Sequence, residues 1–335
     1  MVRDPGSDRV YLLDLYDPRY AQVHPLAPSM ESLRRLVDAV ADFDGRCGRF
    51  ADLTGHSGPE AVREASERLV AVLGGESWAA QDWGVDRGPE QWPLALPNLW
   101  RIVAVVKPLA LIAAPGRGLL LDLPARALVD VFGEDGVRRF APDELPSALV
   151  HEPTRRFLGE VGLPKEAPSF CAAGPPDAPL RTLAEDHAES ARNPELRHLY
   201  EDADGHPPVA DADQRLHLGS TPQDVDVVLD GRTGAVHHAP CTYDRLTPMN
   251  ADISSLAFAL WMHGTARDLV ERHDLKGGTD DFYVHLAEIL LATLAAWDPG
   301  ACRESNSQGD PDDPDARDEY VYWPEVFHDA AGGAL

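Results

Sequence analysis

The chain has 335 residues, of which 44% are hydrophobic, and it carries a formal net charge of −26 at pH 7. A negative field of this size repels nucleic-acid phosphates and anionic lipids, so it argues against nucleic-acid and membrane partners. The charge either favours a basic protein partner or serves only to keep the protein in solution. The longest apolar stretch, IVAVVKPLALIAA, is interrupted by Lys107-Pro108 and falls short of the roughly 20 apolar residues that a membrane helix needs.

The N-terminus and the cysteines indicate a cytoplasmic protein. The first residues, MVRDPGSDRVYLL, lack the basic patch and apolar run of a secretory signal. The four cysteines, Cys47, Cys171, Cys241 and Cys302, are too widely spaced for a disulfide framework or a zinc knuckle. We therefore expect buried, reduced thiols.

The first 50 residues predict two strands and one helix. The strands are expected at residues 9–15 and 20–26, with the turn signal Asp17-Pro18 between them. The helix follows Ser29, and its spacing places five apolar residues on one face: Met30, Leu33, Leu36, Val37 and Val40. A hairpin with one helix buries too little apolar surface to be stable alone, so this segment must pack on another part of the chain.

Residues 51–144 predict a further α+β region. A helix is expected over residues 59–74, with Pro59 in its first turn and glycine at its end. The apolar runs LWRIVAVV and LALIAA are short and partly β-branched, which favours two interior strands on either side of Lys107-Pro108. The glycines of PGRGLLLD predict a hairpin turn leading into a strand, and PARALVDVFG predicts a short helix.

The stretch HEPTRRFLGEVGLP predicts the first helix of a second domain, beginning at about Glu152 and ending at Gly162-Leu163-Pro164. SFCAAG predicts a strand, and RLHLGS, DVDVVLD and AVHHAP predict an antiparallel meander with turns at Asp230-Gly231 and Thr233-Gly234. ISSLAFALWMHGTARDLVERH predicts a long amphipathic helix, and DFYVHLAEILLATLAAW predicts another. Residues 301–335 predict an acidic C-terminal extension.

The order of strand, Val-His strand and Ser-Leu helix occurs twice along the chain. It runs through residues 10–33 and again through residues 227–256. Either residues 1–50 are a partial repeat that has lost its N-terminal part, or the echo is a coincidence of common residue types.

Three turn and helix-start motifs between residues 145 and 270 carry a family resemblance. They are the helix that closes on Gly162-Leu163-Pro164, the hairpin DGRTG at residues 230–234 and the helix start Ser254-Ser255-Leu256. In this frame the segment resembles the SUKH superfamily, and specifically its fourth subgroup, which is common in Streptomyces-type genomes. The resemblance implies an α+β fold in which helices pack an antiparallel sheet, no catalytic centre, and a role as an immunity protein of bacterial polymorphic toxin systems.

This resemblance leads us to expect four regions. A partial SUKH-like repeat would occupy residues 1–50 and an α+β region residues 51–144. The SUKH-like domain would occupy residues 145–300, followed by the acidic extension at residues 301–335.

The most suggestive catalytic pattern is that of a zinc deaminase. His187-Ala188-Glu189 supplies H-x-E, and Pro240-Cys241 begins P-C-x-x-C. The second thiolate position is occupied by Asp244, and Pro240-Cys241 follows a predicted strand where the deaminase pattern requires a helix start. A deaminase-like enzyme is therefore the weakest hypothesis, and we expect no catalytic residue, metal or cofactor.

The sequence thus favours a non-enzymatic immunity protein that covers the basic cleft of a toxin, which by the resemblance would be a nuclease or a nucleic-acid deaminase. The candidate partner-binding residues are acidic positions in and beside predicted loops: Glu201, Asp202, Asp204, Asp224 and Asp226. The alternative is a protein-binding scaffold or regulator without a toxin partner.

Overall fold

The computed structural model describes most of the chain in two compact units. The described residues are 1–14, 22–75, 96–175, 178–190, 192, 209, 211–222, 225–240, 246–272, 280–303 and 321–328. Unit 1 comprises Met1–Ile112 together with Ala266–Ile289, and unit 2 comprises Ala113–Thr265 together with Leu290–Leu335.

Both units contain helices and strands. Among the described residues, the α-helices are α1 (Met30–Asp44), α2 (Pro59–Gly74), α3 (Asn98–Val106), α4 (Ala127–Phe132), α5 (Glu152–Glu160), α6 (Leu183–Ser190), α7 (Ile253–Arg272), α8 (Asp280–Ala295) and α9 (Tyr322–His328). The strands are β1 (Val2–Arg3), β2 (Val10–Asp14), β3 (Gln22–Ala27), β4 (Ala114–Pro115), β5 (Leu121–Asp122), β6 (Val137–Arg138), β7 (Leu163–Pro164), β8 (Glu166–Ala167), β9 (Phe170–Ala172), β10 (Arg215–Ser220), β11 (Val225–Asp230), β12 (Val236–Pro240) and β13 (Thr247–Asn250). Short 3₁₀ helices cover Gly48–Leu53, Lys107–Ile112, Pro142–Glu144 and Pro299–Cys302.

The largest sheet of the described residues lies in unit 2 and has the strand order β13-β12-β11-β10-β9-β8. All of its neighbouring strands pair antiparallel. Strands β10, β11 and β12 form the predicted meander, and β4 with β5 forms the predicted hairpin. Antiparallel sheets together with helices confirm the predicted α+β class.

Unit 1 begins with the sheet β1-β2-β3 followed by α1. The predicted strand pair is confirmed, but the predicted face of α1 is wrong at two positions, because Met30 is 37% exposed and Val37 is 51% exposed. The buried side instead carries Ser32, Leu33, Leu36, Ala39 and Phe43. Phe43, at the end of α1, packs edge to face on Phe50 at 5.5 Å between ring centroids, and this aromatic contact fixes the rotation of the helix.

The two interior strands predicted around Lys107-Pro108 are wrong. LWRIVAVV lies within α3, and LALIAA lies largely in the 3₁₀ helix Lys107–Ile112. A fully buried segment is apolar on every side, so periodicity does not separate a strand from a helix there. The Trp100 indole N–H donates to the carbonyl of Leu26 at 2.7 Å, which ties α3 to the end of β3.

Helix α7 is buried more completely than an amphipathic helix would be. Residues 253–264 are all buried, including His263. A helix that is covered on all sides is expected to be apolar all round, and the predicted polar face is therefore missing from its first three turns.

Helix α9 belongs to the core of unit 2. The Tyr322 hydroxyl donates to the carbonyl of Ser169 at 2.8 Å, and the Trp323 indole N–H donates to Asn250 Oδ1 at 3.0 Å. Both aromatic side chains are buried. The predicted acidic extension thus includes a core helix, while the acidic residues 304–320 lie outside the described residues.

Three further expectations concern the cysteines, the membrane and the domains. Cys47, Cys171 and Cys302 are free thiols, but Cys47 and Cys171 are exposed and not buried as expected, whereas Cys241 lies outside the described residues. Within the described ranges, no helix has the length and apolar character needed to cross a membrane. The domain boundaries predicted after residues 50, 144 and 300 and the partial repeat stay predictions.

Candidate functional site

The DGRTG hairpin holds the start of α5 in place. The carbonyl of Gly231 accepts hydrogen bonds from the backbone N–H groups of Val150 at 2.9 Å and His151 at 3.0 Å. Gly234 has φ +79°, and a Cβ there would lie 2.4 Å from the His151 ring. Glycine is therefore favoured here, because the backbone is in the left-handed region and the His151 ring packs directly on the turn.

The helix end and the second helix start are structural as well. Gly162 has φ +82°, and a Cβ there would collide with the carbonyl of Arg138, in the strand that pairs with Leu163–Pro164. At the start of α7, Asp252 Oδ1 accepts from the Ser254 N–H at 2.8 Å, and the buried Asp298 carboxylate accepts from the Ser255 hydroxyl at 2.8 Å. The motifs that carry the resemblance therefore build the frame of unit 2.

The H-x-E half of the deaminase-like pattern, His187-Ala188-Glu189, lies on α6, and Pro240 of the other half ends β12. His187 is buried, and burial lowers its pKa. Glu189 forms an ion pair with Arg181. Cys241 and Asp244 lie outside the described residues, and among the described residues no group of three or more side chains could hold a metal ion.

A charged cluster joins α6 to the large sheet. His217, on β10, lies between two carboxylates: its Nδ1 contacts Asp186 of α6, and its Nε2 lies 3.3 Å from Asp226 of β11. Burial opposes charge on the His217 ring, but the two carboxylates outweigh it and raise the pKa of His217 to about 10. Burial alone would raise the pKa of Asp186, but its contact with His217 holds it below the usual value. The cluster is therefore an imidazolium between two carboxylates.

Two clefts lie on either side of the 3₁₀ helix Pro142–Glu144, and we call them the acidic cleft and the basic cleft. The acidic cleft has a volume of about 410 Å³ and is walled by α6; its described lining residues are Asp143, Glu144, Pro146, Pro179, Leu180, Arg181, Glu185, Ala188, Glu189 and Arg192. The basic cleft has a volume of about 540 Å³ and is walled by α5; its described lining residues are Arg139, Phe140, Ala141, Pro142, Leu145, Glu152, Arg155, Arg156, Gly159 and Glu160.

The structure places one of the five predicted partner-binding residues. Asp226 is on β11, is 17% exposed, and lies against His217. Glu201, Asp202, Asp204 and Asp224 lie outside the described residues. Of the residues that line the acidic cleft, Ala188 and Glu189 belong to the deaminase-like pattern, but no sequence pattern predicted a cleft there; the acidic pair Asp143-Glu144 in PDELP is a local signal for one more part of the lining.

The comparisons with known proteins agree with the frame described above. The model of a family described as SUKH-4 immunity protein matches residues 123–329, which extends beyond the predicted resemblance at both ends. No curated protein and no solved structure matches the chain significantly. Since the match spans more than half of the sequence, the chain belongs to the SUKH-4 immunity protein family.

Proposed function

We propose that this protein neutralises a bacterial toxin by binding it, without catalysis, and that the toxin is a nuclease or a nucleic-acid deaminase. The observation that carries the proposal is the family match over residues 123–329, because membership of an immunity protein family implies a cognate toxin as partner. The net charge of −26 supports the finer statement, since an enzyme that handles nucleic acid needs a basic cleft.

The mechanism we propose is occlusion of that basic cleft. Opposite charge on the two proteins speeds their encounter, and an apolar centre that excludes water slows their dissociation. An immunity protein needs both, because the toxin must be captured before it reaches its substrate. Cytoplasmic location follows from the same proposal, since the nucleic acid to be protected is there.

The acidic connections around β10 are part of the proposed toxin-binding surface. Glu201, Asp202 and Asp204 lie in the sequence between α6 and β10, and Asp224 lies between β10 and β11. Asp226 faces His217, so its reversal would also disturb the charged cluster. A variant that leaves Asp226 unchanged is therefore the cleaner test.

The experiment is coexpression of this chain with the toxin domain of a secreted protein encoded by a neighbouring gene, with colony survival as the readout. We expect protection by the wild-type chain and loss of protection when Glu201, Asp202, Asp204 and Asp224 are changed to Lys. The matched control reverses four exposed carboxylates elsewhere, namely Asp38, Glu60, Asp122 and Asp135. The proposal would be refuted if cells expressing the toxin domain alone survived, or if the wild-type chain gave them no protection.

A protein-binding scaffold is the second candidate function. It is favoured by one observation: residues 1–122 lie outside the family match, and residues 1–112 belong to unit 1. In that case the wild-type chain would give no protection in the coexpression experiment. The chain tagged and recovered from its own cells would then retain a repeatable set of partners that includes no toxin.

A further inference from the structure

The acidic cleft combines an apolar lining with charged walls. Pro146, Pro179, Leu180 and Ala188 supply the apolar surface. Four carboxylates and two guanidinium groups complete the described lining, so its charge is negative: Asp143, Glu144, Glu185, Glu189, Arg181 and Arg192. Its volume of about 410 Å³ lies in the range of protein pockets that enclose a ligand group.

The carboxylates of the acidic cleft differ in how far the fold already uses them. Glu144 Oε2 accepts from the Ala141 N–H at 2.6 Å, and Glu185 Oε2 accepts from the Thr182 N–H at 2.9 Å, so both stabilise local turns. Glu189 is exposed and pairs with Arg181 at the surface. Within the described residues, the exposed Asp143 carboxylate has no hydrogen-bond or ion-pair partner. Asp143 is therefore the unpaired carboxylate of the described lining, and Glu189, although paired with Arg181, keeps 57% of its side chain exposed.

We propose that the acidic cleft receives a cationic side chain, lysine or arginine, from the surface of the toxin. This inference rests on the proposed function and names the part of the described surface that does the binding. The apolar lining would cover the methylene stem of the side chain, while the carboxylates would bind its charged head. A nucleic-acid-handling toxin presents such side chains around its substrate cleft.

The neighbouring basic cleft argues for this charge selection. It is larger, at about 540 Å³, and shares the 3₁₀ helix Pro142–Glu144, but its described lining carries three arginines and two glutamates. A cationic partner is repelled there and attracted to the acidic cleft. Cleft size alone would favour the basic cleft, so charge is the property that selects between them.

The acidic cleft is also held in shape before any partner arrives. Thr182 and Glu185 form a capping box, in which Thr182 Oγ1 accepts from the Glu185 N–H at 3.2 Å and Glu185 Oε2 accepts from the Thr182 N–H. The contact between Asp186 and His217 fixes the same helix to the sheet. A wall that is already ordered loses little entropy on binding, which favours affinity.

The test compares two pairs of conservative substitutions in the full-length chain. Asp143→Asn with Glu189→Gln neutralises the acidic cleft, and Glu152→Gln with Glu160→Gln removes the same charge from the basic cleft. Within the described residues Glu152 and Glu160 are exposed and have no side-chain partner. The probe is the neighbouring-gene toxin domain carrying an inactivating substitution, titrated by calorimetry at low and moderate salt, with thermal melting as the folding control.

We expect the first pair to bind the toxin domain at least roughly tenfold more weakly and with a shallower salt dependence, while the second pair stays within about twofold of the wild-type chain. Equal weakening by both pairs would mean that only total charge matters, and unchanged binding by the first pair would mean that the cleft is not in contact; either result overturns the inference while leaving the proposed function intact. No binding by the wild-type chain would overturn both.

Discussion

The acidic and basic clefts share a wall and differ in sign. Both are bordered by the 3₁₀ helix Pro142–Glu144, so the same turn is common to two surfaces of opposite charge. In the acidic cleft the negative sign comes from α6, which supplies Glu185 and Glu189, whereas in the basic cleft the two arginines and two glutamates of α5 balance and Arg139 supplies the excess positive charge. The net charge of −26 thus describes the field that a partner meets at a distance, whereas a few lining residues set the sign of charge inside each cleft.

The two helical walls are also attached to unit 2 by different interactions, because α6 adds an ionic cluster to its backbone hydrogen bond from Ala184 N–H to the Ala212 carbonyl at 3.1 Å. Helix α6 is joined to the sheet by the cluster of Asp186, His217 and Asp226. The start of α5 is held by backbone hydrogen bonds from Val150 and His151 to the Gly231 carbonyl. Ionic attachment depends on protonation and backbone attachment does not, so pH should affect the two walls differently.

The largest effect is expected when the ionic attachment of α6 is broken. His217→Gln leaves Asp186 and Asp226 facing a neutral side chain in a largely buried place, and we expect it to lower the free energy of unfolding by about 2–4 kcal/mol at pH 6.5. The folded-state pKa of about 10 lies above the usual unfolded value, so the His217 charge stabilises fully below that unfolded value of about 6.5 and its contribution is lost as pH rises through about 10. The difference in free energy of unfolding between wild type and variant, measured by urea denaturation, should therefore shrink from pH 6.5 to pH 10.

His151→Gln is the matched control on the other wall. The His151 Nδ1 contacts the Thr154 hydroxyl at 2.8 Å, and among the described residues it has no carboxylate partner. Subtracting the free energy of unfolding of each variant from that of the wild type cancels the pH dependence of the titrating groups that both proteins share. If the difference in free energy of unfolding shrinks equally with pH for His217→Gln and His151→Gln, the charge on His217 does not stabilise the attachment of α6.

A smaller effect on the free energy of unfolding is expected when the 3₁₀ helix Pro142–Glu144, which borders both clefts, loses the contacts that hold it. Arg155 lines the basic cleft and donates to the carbonyls of Leu149 at 2.9 Å, Pro146 at 3.3 Å and Pro142 at 3.4 Å. Lysine keeps the charge but not the planar fork that reaches several carbonyls. We expect Arg155→Lys to lower the free energy of unfolding by about 1–2 kcal/mol. It should also weaken toxin binding at the acidic cleft, although the residue lines the other one.

Arg156→Lys is the control for this substitution. Arg156 is adjacent in sequence, is exposed, and donates to the carbonyl of Arg117 at 3.4 Å. The same change there should alter the free energy of unfolding by less than about 0.5 kcal/mol. Calorimetric titration with the toxin domain shows whether the two clefts are coupled through the 3₁₀ helix. Equal binding by Arg155→Lys and the wild type would show that they are mechanically independent.

Much of unit 2 could be predicted because its turns are local. Asp230 Oδ1 accepts from the N–H groups of Arg232 and Thr233, at 2.8 and 3.0 Å, which is the turn chemistry that the letters DGRTG indicate. Pro153 in the first turn of α5 and Gly162 just after its end likewise indicated where that helix begins and ends. Signals of this kind need no knowledge of the rest of the fold.

The predictions that failed depend on contacts between residues that are distant in the sequence. Whether LWRIVAVV forms a strand or α3 depends on what covers it, and the rotation of α1 depends on the contact between Phe43 and Phe50. The acidic cleft joins Asp143 to Glu189, which are 46 positions apart, and no spacing rule links them. His217 lies in RLHLGS, where alternation indicates an ordinary strand position, and its two carboxylate partners come from other elements.

The smallest expected effect concerns the capping of α6. Thr182→Ala removes the Oγ1 acceptor of the Glu185 N–H, and we expect a loss of about 1 kcal/mol, whereas Thr182→Ser keeps the acceptor and should remain within about 0.5 kcal/mol of the wild type. Helix α5 has no side-chain cap at His151, so it gives an internal reference in the same molecule. Hydrogen exchange should accelerate in residues 183–190 of the Ala variant and stay unchanged in residues 152–160. Acceleration in both helices would show that the two walls open as one cooperative element, in which case ordering of the acidic cleft would depend on the whole frame and not on its own cap.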